Sequence, residues 1–504
     1  MRIERTKNTI RNSGWGIVSK VITTFFPVVV RSLIVQHIGA AYLGLGSLFS
    51  SILTVLSLAE LGVSSAIVFS MYKPIAEDDT QTICALMALY KKLYSVIGII
   101  IGIIGTILLP FLPYLIKGNC PNDINIYILY LIYLSNSVVG YFLFAYKNCL
   151  LTAYQRSDIA MKIAILTSII QYSLTIVVVV VFHNYYLYVI LAPIASVVNN
   201  LLTAYQSDKL FPNYKPKGKL DKHVIADIKQ RITGLMLSKV AGTTRNTFDS
   251  IFISALLGLT TVTVYGNYYY IMAAVISVLT VITTGMGAGV GNSVAIESQQ
   301  KNHDDMMRFT FIFMWISGWC SICLGCLYHN TMILWMGSDL TYPEMLSWVF
   351  AFYFYVCTMS SINGQYYNAS GLWWHGKWIY GIEAILNLVL NYILGKLFGI
   401  YGIVLASILT AVVVSYNMYA IITYKFYFTD YSVRENYKAH IKYLITTVCN
   451  AGVTRSICTL IQKETLGTLV LKGIICILIP NFFYWIIYKK SRYYNETVGA
   501  FKKY

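Results

Sequence analysis

Long apolar runs separated by short polar breaks fill this chain from near its start to near its end. A run of roughly 18 or more apolar residues is long enough to cross the hydrocarbon core of a bilayer as a helix. Runs of this kind predict helices near 15–38, 43–70, 89–115, 124–151, 160–182 and 185–206. After a polar segment they resume near 233–257, 262–291, 307–329, 345–370, 377–397, 400–427, 441–461 and 468–488. The pattern predicts an all-α membrane protein of about 14 transmembrane helices.

Composition supports that reading. Of 504 residues, 57% are hydrophobic and only 12% charged, against roughly 25% charged in soluble domains. Such a chain cannot cover its apolar surface with water-facing charge. The net charge of +17 does not indicate nucleic acid, because Lys and Arg fall in short runs between apolar stretches and form no compact basic face. They follow the positive-inside rule instead. With a cytoplasmic amino terminus, the inside segments carry Lys73, Lys91, Lys92, Lys147, Arg156 and Lys162, the dense cluster in 207–232, then Lys425, Arg434, Lys438, Lys442 and the tail Lys489, Lys490 and Arg492. Both termini are expected in the cytoplasm. The basic start runs into a helix too long for a cleaved leader. Trp373, Trp374 and Trp378 are expected to anchor a short loop at the interface.

The chain also repeats itself. Ser19-Lys20 recurs as Ser238-Lys239, Tyr42-Leu-Gly44 as Val264-Tyr265-Gly266, Leu151-Thr-Ala153 as Tyr367-Asn-Ala369, and Tyr186-Leu-Tyr188-Val-Ile190 as Gly399-Ile-Tyr401-Gly-Ile403, in one order and at similar intervals. The expected organisation is a first lobe of six helices in 1–206, a cytoplasmic linker in 207–232, and a second six-helix lobe in 233–427. Two additional helices and a basic tail follow in 428–504. Six is even, so the lobes have parallel topology, with a pseudo-twofold axis along the membrane normal and a cavity between them.

Charges inside spans are costly and face a cavity or a partner. The first helix carries Lys20 and Arg31, eleven residues apart and so on one face. The seventh carries Lys239, Arg245 and Asp249, the last two at i, i+4, where they either pair within the helix or face the cavity. Because these helices are repeat partners, a basic cavity for an anionic cargo is expected. Glu60, in SLAELGVSS, is either a protonatable or cation-binding coupling group or a structural partner for Arg31 or another helix; Asp249 is the other coupling candidate. Pro27 predicts a kink and a hinge in the first helix. Asn363 and Gln365 offer sugar contacts or interhelix hydrogen bonds. Cys320, Cys323 and Cys326 recur along one helix face without converging ligands and are expected to be packing residues. No catalytic constellation, metal site or cofactor is predicted.

The stretch from Lys7 to Asp79 resembles the polysaccharide-transporter (Wzx-type flippase) branch of the multidrug/oligosaccharidyl-lipid/polysaccharide exporter superfamily. The features that carry the likeness are the spacing from Pro27 to Arg31, then Gly39, Tyr42-Leu-Gly44 and Leu58-Ala-Glu60-Leu-Gly62. The resemblance is clear over about the first third of the chain. It implies rocker-switch alternating access and a cargo of undecaprenyl-diphosphate-linked oligosaccharide, flipped outward across a bacterial inner membrane for surface glycan such as O-antigen or capsule. The family's cationic cavity falls by position on Arg31, Lys20, Lys239 and Arg245. Membrane lipids, and a glycan polymerase or other assembly proteins, are the implied partners. A cation-coupled multidrug exporter is the alternative. A membrane enzyme would need a large outer loop with catalytic residues, and the outer segments near 116–123 and 330–344 are short.

Overall fold

The computed structural model describes residues 5–501 except 61, 119, 373–374 and 462. For 5–10, 13, 59, 145, 231, 234–235, 237–246, 285, 288, 380, 500 and 501 only the backbone is described. Among the described residues the regular elements are all helical, with no strand. The chain divides into two compact units, Met1–Thr263 and Val264–Tyr504.

The first unit holds α1 (Arg5–His37), α2 (Ala40–Leu56), α3 (Val63–Ala76), α4 (Thr80–Ile107), α5 (Ile126–Phe142), the short α6 (Asn148–Ala153), α7 (Ser157–Val177), α8 (Tyr185–Leu210), α9 (Lys222–Leu257) and the opening of α10 (Leu259–Ile296). Its core follows from spacing. Leu45, Leu48, Phe49, Ile52 and Leu53 recur at i, i+3, i+4, i+7 and i+8 of α2 and are all buried, one stripe of a 3.6-residue helix. Phe49 meets Tyr130 of α5 edge-on, ring centroids 5.4 Å apart. On α4, Ile83, Met87, Tyr90, Tyr94 and Ile101 turn inward, whereas Ile99, Ile103 and Ile107 are exposed.

The second unit holds the rest of α10, then α11 (Gln299–Met336), α12 (Glu344–Ala369), α13 (Ile379–Thr410), α14 (Asn417–Phe426), α15 (Val433–Thr459), α16 (Leu466–Tyr488) and α17 (Arg492–Phe501). Helix α16 is inside-out by the standards of a water-soluble protein. Lys472, Cys476, Pro480, Tyr484 and Tyr488, four residues apart each, are buried, while Leu471, Ile474, Ile477, Leu478, Phe482 and Ile486 are exposed. That inversion is stable only in hydrocarbon, where polar groups must find partners in the protein. The partners are present. Pro480 has no N–H to give the Cys476 carbonyl one turn back, and the Trp319 indole N–H of α11 donates to that oxygen at 2.9 Å. Asn450 of α15 in turn donates to the Pro480 carbonyl at 3.0 Å.

Helix α11 receives its neighbours at glycines. A methyl group on Gly325 would strike the Trp348 ring of α12, and one on Gly318 would strike the Tyr484 hydroxyl. Gly325→Val should therefore cost about 2 kcal/mol through overpacking. The expected result is a lower melting temperature of the detergent-solubilised protein; an unchanged one would show that Trp348 swings aside freely.

The structure refines the expected boundaries in several places, among them the run 124–151, which divides into α5, a 3₁₀ turn and α6. The run 43–70 is not one helix: a 3₁₀ turn, Ser57–Glu60, follows α2, and Gly62 stands at φ 99° before α3 begins. Apolar spacing on either side hides the break because both pieces pack on the same core; only the glycine marks it. The separate helices expected at 377–397 and 400–427 meet inside α13 at Gly399, whose φ of 58° and ψ of −135° break the run between them. Of the expected linker 207–232, only 211–221 is non-helical. It belongs to the first unit, with the Phe211 ring tilted 4.7 Å from Tyr154 and the Tyr214 and Tyr154 hydroxyls 2.8 Å apart. Trp373 and Trp374 lie outside the described residues, and Trp378 is exposed.

Nine helical stretches among the described residues are long and apolar enough to cross a membrane. Shorter apolar helices, Ala40–Leu56 and Ile126–Phe142, accompany them, and α9 ends in the apolar stretch Thr247–Leu257. One of the nine, Gly381–Phe426, has 46 residues and contains the Gly399 break.

Candidate functional site

The break after α2 presents Glu60. A 3₁₀ turn points its side chain across the unit, between α4 and α5, where two tyrosine hydroxyls close on it. Tyr94 donates to Oε1 at 2.7 Å and Tyr141 donates to Oε2 at 2.5 Å. The rings of Tyr94 and Tyr141 meet edge-on at 5.4 Å, and Tyr90 packs on Tyr94 at 4.4 Å. Each carboxylate oxygen thus has its own O–H donor from a different helix, within a largely apolar core. This geometry holds an acidic group where a proton or small cation would alter the contact between a broken helix and its neighbours. Nothing in the sequence marks Tyr94 and Tyr141, since they lie on other helices in a chain with 42 tyrosines.

Arg31 is half-buried near the end of α1. Its charge acts on the hydroxyls of Tyr185 and Tyr188, which α8 presents from its first turn. Those tyrosines belong to an aromatic cluster: Tyr185 packs 5.3 Å from both Tyr42 and Tyr188, and its hydroxyl lies 3.2 Å from that of Tyr133. Gly46 of α2 makes room for this pair, since a side chain there would run into both hydroxyls. The planar fork of a guanidinium matches phosphate oxygens.

Lys20 is exposed on α1, and the adjacent Ser19 lines a polar cavity of about 390 Å³ with Asn148, Thr152, Asn199, Asn200 and Thr203. Pro27 lies inside α1, which runs on through it. The side chains of Lys239 and Arg245 lie outside the described residues; Asp249, on the same helix, is fully buried. In the second unit Asn363 is buried, its Oδ1 accepting from Asn436 of α15 at 2.9 Å. Gln365 turns toward Gly287 of α10. Residues two apart on a helix diverge by roughly 200°, so Asn363 and Gln365 do not form a single patch. An apolar cavity of about 240 Å³, lined by residues such as Phe352, Val356, Met359, Val412 and Ile441, lies elsewhere in that unit.

A further cluster escapes the sequence. Asp158, 1% exposed at the start of α7, faces Arg11 at 3.0 Å, Arg156 at 3.2 Å and Lys162 at 3.7 Å. Asn12 ties the same turn down, accepting from the Asp158 N–H at 2.9 Å and donating to the Gln155 carbonyl at 3.1 Å.

Solved structures share this architecture. The lipid II flippase MurJ in an inward closed conformation matches with a TM-score of 0.65 and 13% identity, over 95% of this chain and 99% of that one. An inward-facing multidrug resistance MATE family transporter of the MOP superfamily gives 0.61 and 14%, over 79% and 95%. A Vibrio cholerae MATE transporter gives 0.57 and 12%, over 85% and 98%. The chain shares the fold of these membrane proteins. No curated protein matches the chain. The model of the family described as polysaccharide biosynthesis protein matches residues 9–286, more than half the chain, and the protein belongs to that family.

Proposed function

We propose that the protein is a flippase for an oligosaccharide carried on undecaprenyl diphosphate, moving it from the cytoplasmic to the outer leaflet of a bacterial inner membrane by alternating access. Membership of a polysaccharide biosynthesis family, on a fold shared with membrane transporters, supports the cargo class. The observation that supports the site is Arg31, whose charge acts on the hydroxyls of Tyr185 and Tyr188 at the start of α8. In this reading Arg31, with Lys20, Lys239 and Arg245, receives the diphosphate, and Glu60 or Asp249 couples transport to H⁺ or Na⁺. The lobes 1–206 and 233–427 rock about the cavity, Pro27 bends, and 428–504 is peripheral. Both termini are cytoplasmic. Glycan polymerase or other assembly proteins act beside it, and the protein itself performs no covalent chemistry.

Arg31→Ala should lower surface-glycan export at least tenfold in a strain lacking other flippases, with the protein still present in the membrane. Intact export would remove Arg31 from the diphosphate site. The likeness to MATE transporters favours one other reading, a cation-coupled multidrug exporter. Raised resistance to cationic dyes without any effect on glycan would establish that alternative.

A further inference from the structure

Cys326 of α11, Cys458 of α15 and Cys476 of α16 come from distant parts of the chain, yet their Sγ atoms all lie within 4.8 Å of one another. All three residues are buried. Three sulfurs bound to one zinc-class ion at about 2.3 Å stand about 4 Å apart, so the thiols need to close by less than an ångström. Two features hold them in place. The backbone at Cys476 is locked by the Trp319 N–H at its carbonyl, and Cys323, one turn before Cys326, reaches the same oxygen at 3.6 Å.

Charge is also provided for. Lys472 lies one turn before Cys476 on the buried face of α16, and its charge acts on the Cys458 sulfur. Three thiolates, one divalent cation and one ammonium sum to zero, the balance a site inside hydrocarbon requires. A monovalent ion would leave the same set with a net negative charge. Cys458 sits in the last turn of α15.

We infer that Cys326, Cys458 and Cys476 form a binding site for a divalent, thiophilic d¹⁰ cation such as zinc or cadmium. On binding, the three thiols release their protons to solvent and each sulfur donates an electron pair to the metal; no oxidation is involved. The ion clasps α15 and α16 to α11, a role independent of the cargo and coupling residues above.

The test uses the full-length protein, purified in detergent under a thiol reductant that does not bind metal, with Cd²⁺ as the probe. One Cd²⁺ per chain should survive gel filtration, X-ray absorption should find a shell dominated by sulfur, and the melting temperature should rise. Cys458→Ser should weaken uptake at least tenfold and Lys472→Met severalfold, whereas Cys449→Ser, at an exposed cysteine, should change nothing. A shell dominated by nitrogen or oxygen in the unsubstituted protein, or the absence of a bound ion, overturns the inference without any variant having to fold. So does Cd²⁺ uptake that persists when all three cysteines are replaced by serine.

Discussion

Glu60→Gln is expected to reduce surface-glycan export on the order of a hundredfold, about 2.7 kcal/mol of lost driving or barrier free energy, while the protein accumulates normally. Glutamine keeps the shape of the side chain and one carbonyl oxygen for Tyr94 or Tyr141, so the tyrosine contacts persist in part. What it cannot do is change charge. Glu60→Ala is the harsher substitution: it leaves two tyrosine hydroxyls without their acceptor, at roughly 1–3 kcal/mol each, and should also lower stability. Export measured in a strain without other flippases, alongside protein abundance, separates the two effects. Full activity in the glutamine variant would make Glu60 a structural bridge from the 3₁₀ turn after α2 to α4 and α5, and would leave Asp249 as the proposed coupling group.

Asp158→Ala should destabilise the first unit by about 3 kcal/mol, the lower end for breaking a buried ion pair. The lower end applies because Arg11 and Lys162 keep 29% and 45% of their side-chain surface in solvent. What remains is three cations gathered around an uncharged turn. The melting temperature of the purified protein should fall by roughly 6 °C or more, and Asp158→Asn should fall less because the amide still accepts a hydrogen bond. An unchanged melting temperature would mean that the three cations relax into water at no cost. The Asp158 cluster fixes the amino end of α1 against the start of α7.

Much of the fold is written in hydropathy, because the bilayer imposes a minimum length on every spanning helix. The apolar runs at 233–257 and 468–488 each lie within one helix, and the run at 345–370 matches α12, Glu344–Ala369, to within one residue. Breaks set by a single backbone conformation are harder to read: Gly62 interrupts a run whose apolar spacing continues undisturbed, whereas Gly399 falls between two apolar runs that the sequence already separates. The sites are less legible still. Glu60 stands out as an acid in an apolar stretch, but its tyrosine partners belong to other helices. Cys326 has regular spacing with Cys320 and Cys323 along one face, whereas its closest thiol neighbours lie more than a hundred residues away on α15 and α16. Periodicity reports which way a residue points along its own helix. It carries nothing about what another helix brings to meet it.

Gly399 also decides which side of the membrane the rest of the protein occupies. An uninterrupted helix from Gly381 to Phe426, 46 residues long, would extend roughly 69 Å, more than twice the thickness of the hydrocarbon layer. Straightened, it could cross only once, and every later helix would enter from the opposite face. The lysines and arginine after α16 would then emerge on the other face of the membrane. The handedness of the carboxyl-terminal fifth with respect to the cell therefore depends on one residue that can adopt a conformation closed to any side chain.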